Sequence, residues 1–139
     1  MSAITAPKGF VAGGVHAGLK TSGKLDLSIV ATADGKPVSA AAVFTSNKLA
    51  AAPVQVSRAH LAASGGRAAG IIVNSGNATA ATGVAGYEHA EQMCELTADE
   101  LGCTADEILV CSTGLIGIPM PFDVVEAGIP RVVASRSTM

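Results

Sequence analysis

Apolar and polar residues fall along this chain in short blocks, and the blocks predict alternating strands and helices. Lys8 to Gly23 is rich in glycine and reads as loop and turn with one short extended piece. Leu25 to Ala31 (LDLSIVA) reads as a strand, closed by the turn Asp34-Gly35-Lys36-Pro37. Val38 to Thr45 (VSAAAVFT) predicts a second strand, and the Asp-Gly turn between the two runs predicts a hairpin-like return. Pro53 to Ser57 (PVQVS) predicts a short alternating strand, followed by a helical turn through His60 and Ala63 that Gly65-Gly66 breaks.

Ala69 to Val73 (AGIIV) is a continuous apolar run of the kind found in buried strands, and it ends at Asn74-Ser75-Gly76-Asn77. A long helix is predicted from about Thr82 to Leu101. Val84, Tyr87, Ala90, Cys94, Thr97, Ala98 and Leu101 recur on one stripe, and Glu88, Glu91, Glu95 and Asp99 lie off it. Gly102 suits the position after the helix end, and Thr104-Ala-Asp-Glu107 is a capping-box pattern. Ile108 to Ser112 (ILVCS) predicts another buried strand. Pro119 and Pro121 then introduce a short helix through Val125, closed by Gly128. Strands and helices in this order give an α/β or α+β domain.

Composition sharpens this picture. The chain has 139 residues, enough for one domain, with 49% apolar and 14% charged residues, so disorder is excluded. It has 26 alanines, 16 glycines, no tryptophan and one tyrosine. A core of such small side chains buries little area per residue, so part of the apolar surface is expected to be buried on a partner. The net charge is −2 and the bases are scattered, which leaves no phosphate-neutralising surface for nucleic acid. No segment approaches the length of a membrane span, and Met1 to Phe10 has no apolar stretch of the signal-peptide kind. The expected location is cytoplasmic, with Cys94, Cys103 and Cys111 as reduced thiols. His16, His60 and His89 lie far apart, so no metal site is expected.

Two motifs need care. Gly18-Leu-Lys-Thr-Ser-Gly23-Lys24 copies most of a phosphate-binding P-loop. Leu25 stands where the loop needs Ser or Thr, and a strand follows where it needs a helix. It reads as a glycine-rich turn. Asn77-Ala-Thr79 is a formal glycosylation sequon, read as chance in a chain without a secretion signal.

Chemistry is expected where the buried runs end, because exposed backbone N–H groups gather at strand-to-helix joints. Asn74, Ser75, Gly76 and Asn77 read either as a turn with helix capping or as a polar wall beside a site, with Asn77 holding a loop. Thr113 and Gly114 read either as a tight turn or as an oxyanion site. A Thr hydroxyl and an unobstructed Gly amide can both aim at one developing negative charge.

Pro7-Lys-Gly-Phe10, Ala17-Gly-Leu-Lys20, Asp26-Leu27, Ala42-Val-Phe-Thr45, Ala52-Pro-Val54, Val73-Asn-Ser-Gly-Asn-Ala78, Thr82-Gly83 and Ser112-Thr-Gly-Leu-Ile-Gly117 with Pro121 form an ordered set. With that set the chain resembles the bifunctional ornithine acetyltransferase/N-acetylglutamate synthase family of arginine biosynthesis. The resemblance implies acetyl transfer from N2-acetylornithine to glutamate, with acetyl-CoA as a further donor in some members. It implies an oxyanion hole at Thr113 and Gly114, beside the supporting Asn74, Ser75, Gly76 and Asn77. It also implies no metal, no tightly held cofactor, and a layered α-β-β-α sandwich shared between α and β chains in an (αβ)2 assembly. Family precursors cut themselves before a Thr, which becomes the N-terminal nucleophile of the β chain.

This sequence reaches Met139 before any such cleavage motif. Residues 1–130 are therefore expected to be a partial α-chain domain and 131–139 a tail unlike the family. Thr79 stands where the family more often has Asn, and Thr138 lacks the flanking motif of a nucleophile. Two other classes are compatible with the residues: a related self-cleaving aminopeptidase, and a catalytically silent fragment.

Overall fold

The computed structural model describes residues 4–138. In chain order its elements are β1 (Phe10–Val15), β2 (Leu27–Thr32), β3 (Val38–Ser39), α1 (Ala52–Ala63), β4 (Arg67–Ala68), β5 (Gly70–Asn77), α2 (Gly83–Leu101), a 3-10 turn (Ala105–Glu107), β6 (Ile108–Leu115) and α3 (Phe122–Ala134). The main sheet runs β1-β2-β5-β6. β2 is antiparallel to both β1 and β5, whereas β5 and β6 are parallel and are joined by α2. Parallel neighbours need such a crossover, and a helix that buries a stripe on the sheet supplies it.

The two-residue period of the strands decides what is buried. Leu27, Ile29 and Ala31 of β2, Ile72 and Asn74 of β5, and Ile108 and Val110 of β6 are all buried. They meet Val56 of α1, Ala90, Met93, Cys94 and Ala98 of α2, and Val125, Ile129 and Val132 of α3. Each large aliphatic side chain buried there contributes about 1.5–3 kcal/mol. The alternate strand positions are different. Val30, Ile71, Val73 and Leu109 are half-buried, and Ser28 and Cys111 are exposed. The described residues thus provide one helix layer and one sheet of the α/β architecture, and the sheet's second face is only partly covered. A groove of about 420 Å³ runs there between residues 42–45 and Ile71, Leu109 and Cys111.

Four elements differ from the sequence expectation, each for a local reason. Pro53 to Ser57 is not a strand but the first turns of α1. Pro53, Val56, Ser57 and His60 are buried at helical spacing, and proline suits a helix's first turn. Only Val38–Ser39 of the predicted second strand is a strand, and it pairs with Arg67–Ala68 rather than returning on β2. Both neighbours of β2 are already taken by β1 and β5, and Val43 is fully exposed. On α2 the buried stripe runs through Gly86, Ala90, Met93, Cys94, Thr97 and Ala98, while Val84 and Tyr87 face outward.

Finally, α3 does not stop at Gly128 but continues to Ala134. A Cβ at Gly128 would come within 2.9 Å of both Ala17 Cβ and Leu27 Cδ2, so this glycine lets the helix approach the sheet rather than ending it. Pro130 sits on the solvent side of the same helix. Past the helix, Ser137 exchanges backbone hydrogen bonds with Ala12 of β1 at 3.0 and 2.9 Å.

Candidate functional site

The two polar motifs lie on neighbouring strands. Both were expected as loops, yet β5 runs on through Asn77 and β6 through Leu115. Their parallel register sets Asn74 against Ser112, Ser75 against Thr113, and Gly76 against Gly114. Segments at opposite ends of α2 are thereby brought together at the C-terminal ends of two parallel strands, where α/β sheets place their sites. The contact depends on glycine. Gly76 and Gly114 have φ of 113° and 137°. A Cβ on Gly114 would fall 2.4 Å from the Gly76 carbonyl carbon and 2.5 Å from the Asn77 nitrogen.

Asn74 is fully buried beneath this pair, and its Nδ2 donates to the Asn77 carbonyl at 2.8 Å. The Ser112 hydroxyl donates to the same carbonyl at 3.1 Å. The Asn77 side chain in turn donates to the Ile118 carbonyl at 2.9 Å and so fastens the loop after β6 to β5. Ser75 and Gly76 are half-buried, and Thr113 and Gly114 are exposed. Leu115, Ile116 and Ile118 around them are exposed as well.

The direction of the backbone donors follows from the ladder. β6 is an edge strand, and in a parallel pair only alternate residues bond the neighbour. Val110 turns its N–H and C=O outward, where both meet the Ser57 hydroxyl of α1 at 2.9 Å. Leu115 instead turns its carbonyl inward and accepts from Ala78 N at 2.9 Å. Gly114 and Thr113 stand next to each other on this edge strand, and both are exposed.

The loop that resembled a P-loop does bind an anion, and the anion is the chain's own. The Asp26 carboxylate accepts N–H bonds from Ala17 (2.6 Å), Gly18 (3.2 Å) and Lys20 (2.9 Å), and the His16 ring nitrogen lies 3.1 Å away. Burial by itself would raise the Asp26 pKa. The three amides and the His16 ring outweigh it, and the carboxyl sits below its ordinary value. Asp26 also reaches the site, because its carbonyl accepts from Ser75 N at 2.8 Å. Sequence reasoning passed over this residue. The available signal was an Asp closing a glycine-rich loop, directly before a buried strand.

A carboxylate whose folded pKa is lowered stabilises the fold above its unfolded pKa, and that contribution disappears as pH falls through the folded value. Asp26→Asn is therefore expected to lower stability at pH 7 by on the order of 3 kcal/mol, as charge-assisted bonds are lost. Melting curves of the two proteins should converge as the pH is lowered below about 4. A gap that stays constant into acid would show that the charge contributes nothing.

Burial raises the Cys94 thiol pKa strongly, and partial desolvation raises those of Cys103 and Cys111, so none is a poised nucleophile. His60 is buried and pins three elements, with Nδ1 2.9 Å from the Ile108 carbonyl and Nε2 2.9 Å from Glu91 Oε2. Among the described residues no group of three or more His, Cys, Asp or Glu converges on a metal position. Nor is any helix there long and apolar enough to cross a membrane.

Fold and site together define an α/β domain with one helix-backed sheet and a polar, glycine-built site where two parallel strands end. The chain belongs to the ArgJ family, whose sequence profile matches residues 11–138. It is 45% identical over 130 residues to the arginine biosynthesis bifunctional protein ArgJ of Gloeobacter violaceus, covering 94% of this chain and 31% of that protein. It is 48% identical over 128 residues to the mitochondrial ArgJ of Meyerozyma guilliermondii, covering 91% of this chain and 29% of that one. The chain thus spans about a third of the length of these curated relatives. Among solved structures it is similar to ornithine acetyltransferase of Mycobacterium tuberculosis in complex with ornithine. That likeness has a TM-score of 0.89 at 42% identity and covers 98% of this chain and 72% of that one. It is also similar to ArgJ of Bacillus halodurans, with a TM-score of 0.91 at 36% identity, covering 99% of this chain and 69% of that one.

Proposed function

We propose that this chain is the oxyanion-stabilising part of a glutamate N-acetyltransferase that moves acetyl from N2-acetylornithine to glutamate. The observation that carries this reading is where Thr113 and Gly114 lie: two exposed residues side by side at the end of the edge strand β6. Asn74, Ser75, Gly76 and Asn77 hold the neighbouring strand and the following loop in register.

The reaction proceeds in two halves. The hydroxyl of an N-terminal Thr, supplied by a β chain, attacks the acetyl carbonyl while its own α-amino group takes the proton. The carbonyl oxygen becomes an oxyanion that accepts from the Thr113 hydroxyl and the Gly114 N–H. The C–N bond breaks, the ornithine amine takes the proton, and an acetyl ester remains on the Thr. The glutamate amine then attacks the ester through a second oxyanion in the same place, releasing the Thr hydroxyl and N-acetylglutamate.

The sheet face carrying Val30, Ile71, Val73 and Leu109 is the surface on which the β chain completes the α-β-β-α sandwich, in an (αβ)2 assembly. Residues 1–130 then act as the α-chain domain, in the cytoplasm.

The test compares this chain alone with the complete protein, in which the downstream nucleophile-bearing chain is joined to it. The complete protein is expected to turn over acetylornithine and glutamate. The isolated chain should not, because an oxyanion hole without an attacking group leaves only a small residual rate. Turnover by the isolated chain, or none by the complete protein, overturns the proposal.

A further inference from the structure

We propose that Ser112 is a positioning residue for acetyl transfer: its hydroxyl fixes the direction in which Thr113 presents its own. This deepens the acetyl-transfer reading above and rests on it.

Ser112 is the residue of β6 directly before Thr113, and it is half-buried. Its hydroxyl donates to the Asn77 carbonyl at 3.1 Å and accepts from Thr79 N at 3.4 Å. One side chain thus uses its donor and an acceptor lone pair at once, on backbone groups at the end of β5 and just beyond it. The Asn77 carbonyl takes a second bond, from Asn74 Nδ2 at 2.8 Å, and Asn74 is the register partner of Ser112. Asn74 is fully buried, so this anchor is set in the core.

Thr113 has no comparable hold of its own. It is exposed, and among the described residues its hydroxyl makes no hydrogen bond within the chain. Gly114 after it has φ of 137° and no side chain to pack. Two ties bracket this pair: the Ser112 hydroxyl before it, and the bond from Ala78 N to the Leu115 carbonyl at 2.9 Å after it. Successive side chains of a strand point to opposite faces. Holding Ser112 on the Asn74 side therefore sets Thr113 toward the other face, which Ile71, Val73 and Leu109 share and which receives the β chain in the reading above. Without the Ser112 hydroxyl, β6 loses its side-chain tie to β5 at this point and can twist, and the Thr113 hydroxyl leaves the oxyanion's position. A displacement of about 1 Å costs up to about 100-fold in rate.

The test is a double-mutant cycle in the complete enzyme. Ser112→Ala should lower kcat by about 10–100-fold and leave KM for acetylornithine within about twofold. Ser112→Thr keeps the hydroxyl and should recover most of the rate. The decisive comparison is made in Thr113→Ala. Once the Thr113 hydroxyl is gone there is nothing for Ser112 to position, so Ser112→Ala should cost less than about threefold in that background. Single-turnover release of ornithine keeps the slow double variant measurable. If the Ser112→Ala protein melts below the assay temperature, Ser112→Cys, whose thiol donates only weakly, takes its place in both backgrounds. A residue that only held the fold would lower the melting temperature and slow both backgrounds by the same factor.

A native enzyme that transfers no acetyl group, or a Thr113→Ala variant with the native kcat, overturns both readings. An active enzyme in which Ser112→Ala leaves kcat unchanged, or costs the same factor with and without the Thr113 hydroxyl, overturns this one alone.

Discussion

Thr113→Ala in the complete enzyme is expected to lower kcat by about 10²–10³, or roughly 3 kcal/mol, with little change in KM. Charge develops on the substrate oxygen only as the tetrahedral intermediate forms, so a donor aimed there acts on the transition state and not on substrate binding. Thr113→Ser keeps the hydroxyl and should keep much of the rate. Folding should be almost untouched. Thr113 is exposed, and among the described residues its hydroxyl makes no hydrogen bond within the chain, so its loss costs no more than about 0.5 kcal/mol. A residue that merely shaped a turn would behave in the opposite way, with a lowered melting temperature and a native kcat. Measuring both quantities on both variants separates the two roles. A normal kcat in the Ala variant would remove Thr113 from the chemistry.

The parts of this molecule that were legible in the sequence are those where one physical rule acts alone. The apolar runs at Ala69–Val73 and Ile108–Ser112 read as buried strands and are strands, and α2 ends where Gly102 puts it, although its buried stripe is shifted from the predicted one. Where two rules compete, the pattern misleads. Val54 and Val56 alternate as in a strand, but the buried set Pro53, Val56, Ser57 and His60 is helical, and packing on β6 decides. Gly128 looks like a helix end, although its lack of a side chain serves the close approach to Ala17 and Leu27. The candidate site residues could be named, because polar residues closing apolar runs stand out. Their pairing could not, since the register of β5 on β6 depends on a crossover through the whole of α2. Asp26 stayed hidden for a related reason. Its role lies in backbone amides, which every sequence possesses and only a fold can direct.

Gly114→Ala should be the most disruptive single methyl group in the site, because two costs coincide there. The first is conformational: φ of 137° is open to glycine and strained for any L side chain, at about 1–3 kcal/mol. The second is steric. The new carbon would lie 2.4 Å from the Gly76 carbonyl carbon and 2.7 Å from its oxygen. Those are backbone atoms, and no rotamer change can move them aside. Relief requires β5 and β6 to part at this pair, which removes the Ala78-to-Leu115 bond beyond it and loosens the Asn77 carbonyl that Asn74 and Ser112 share. The combined loss should reach about 3–5 kcal/mol, at the upper end for one substitution. Any protein that remains folded should have lost most of its activity. Gly23→Ala isolates the first cost, since Gly23 has φ of 71° with no atom within 4 Å of a built Cβ. It should cost about 1 kcal/mol. Denaturant unfolding of both variants beside the native protein decides the matter. If Gly114→Ala loses no more than Gly23→Ala, the strands are not pressed together at this point, and the close approach of Gly76 and Gly114 is not what forms the site.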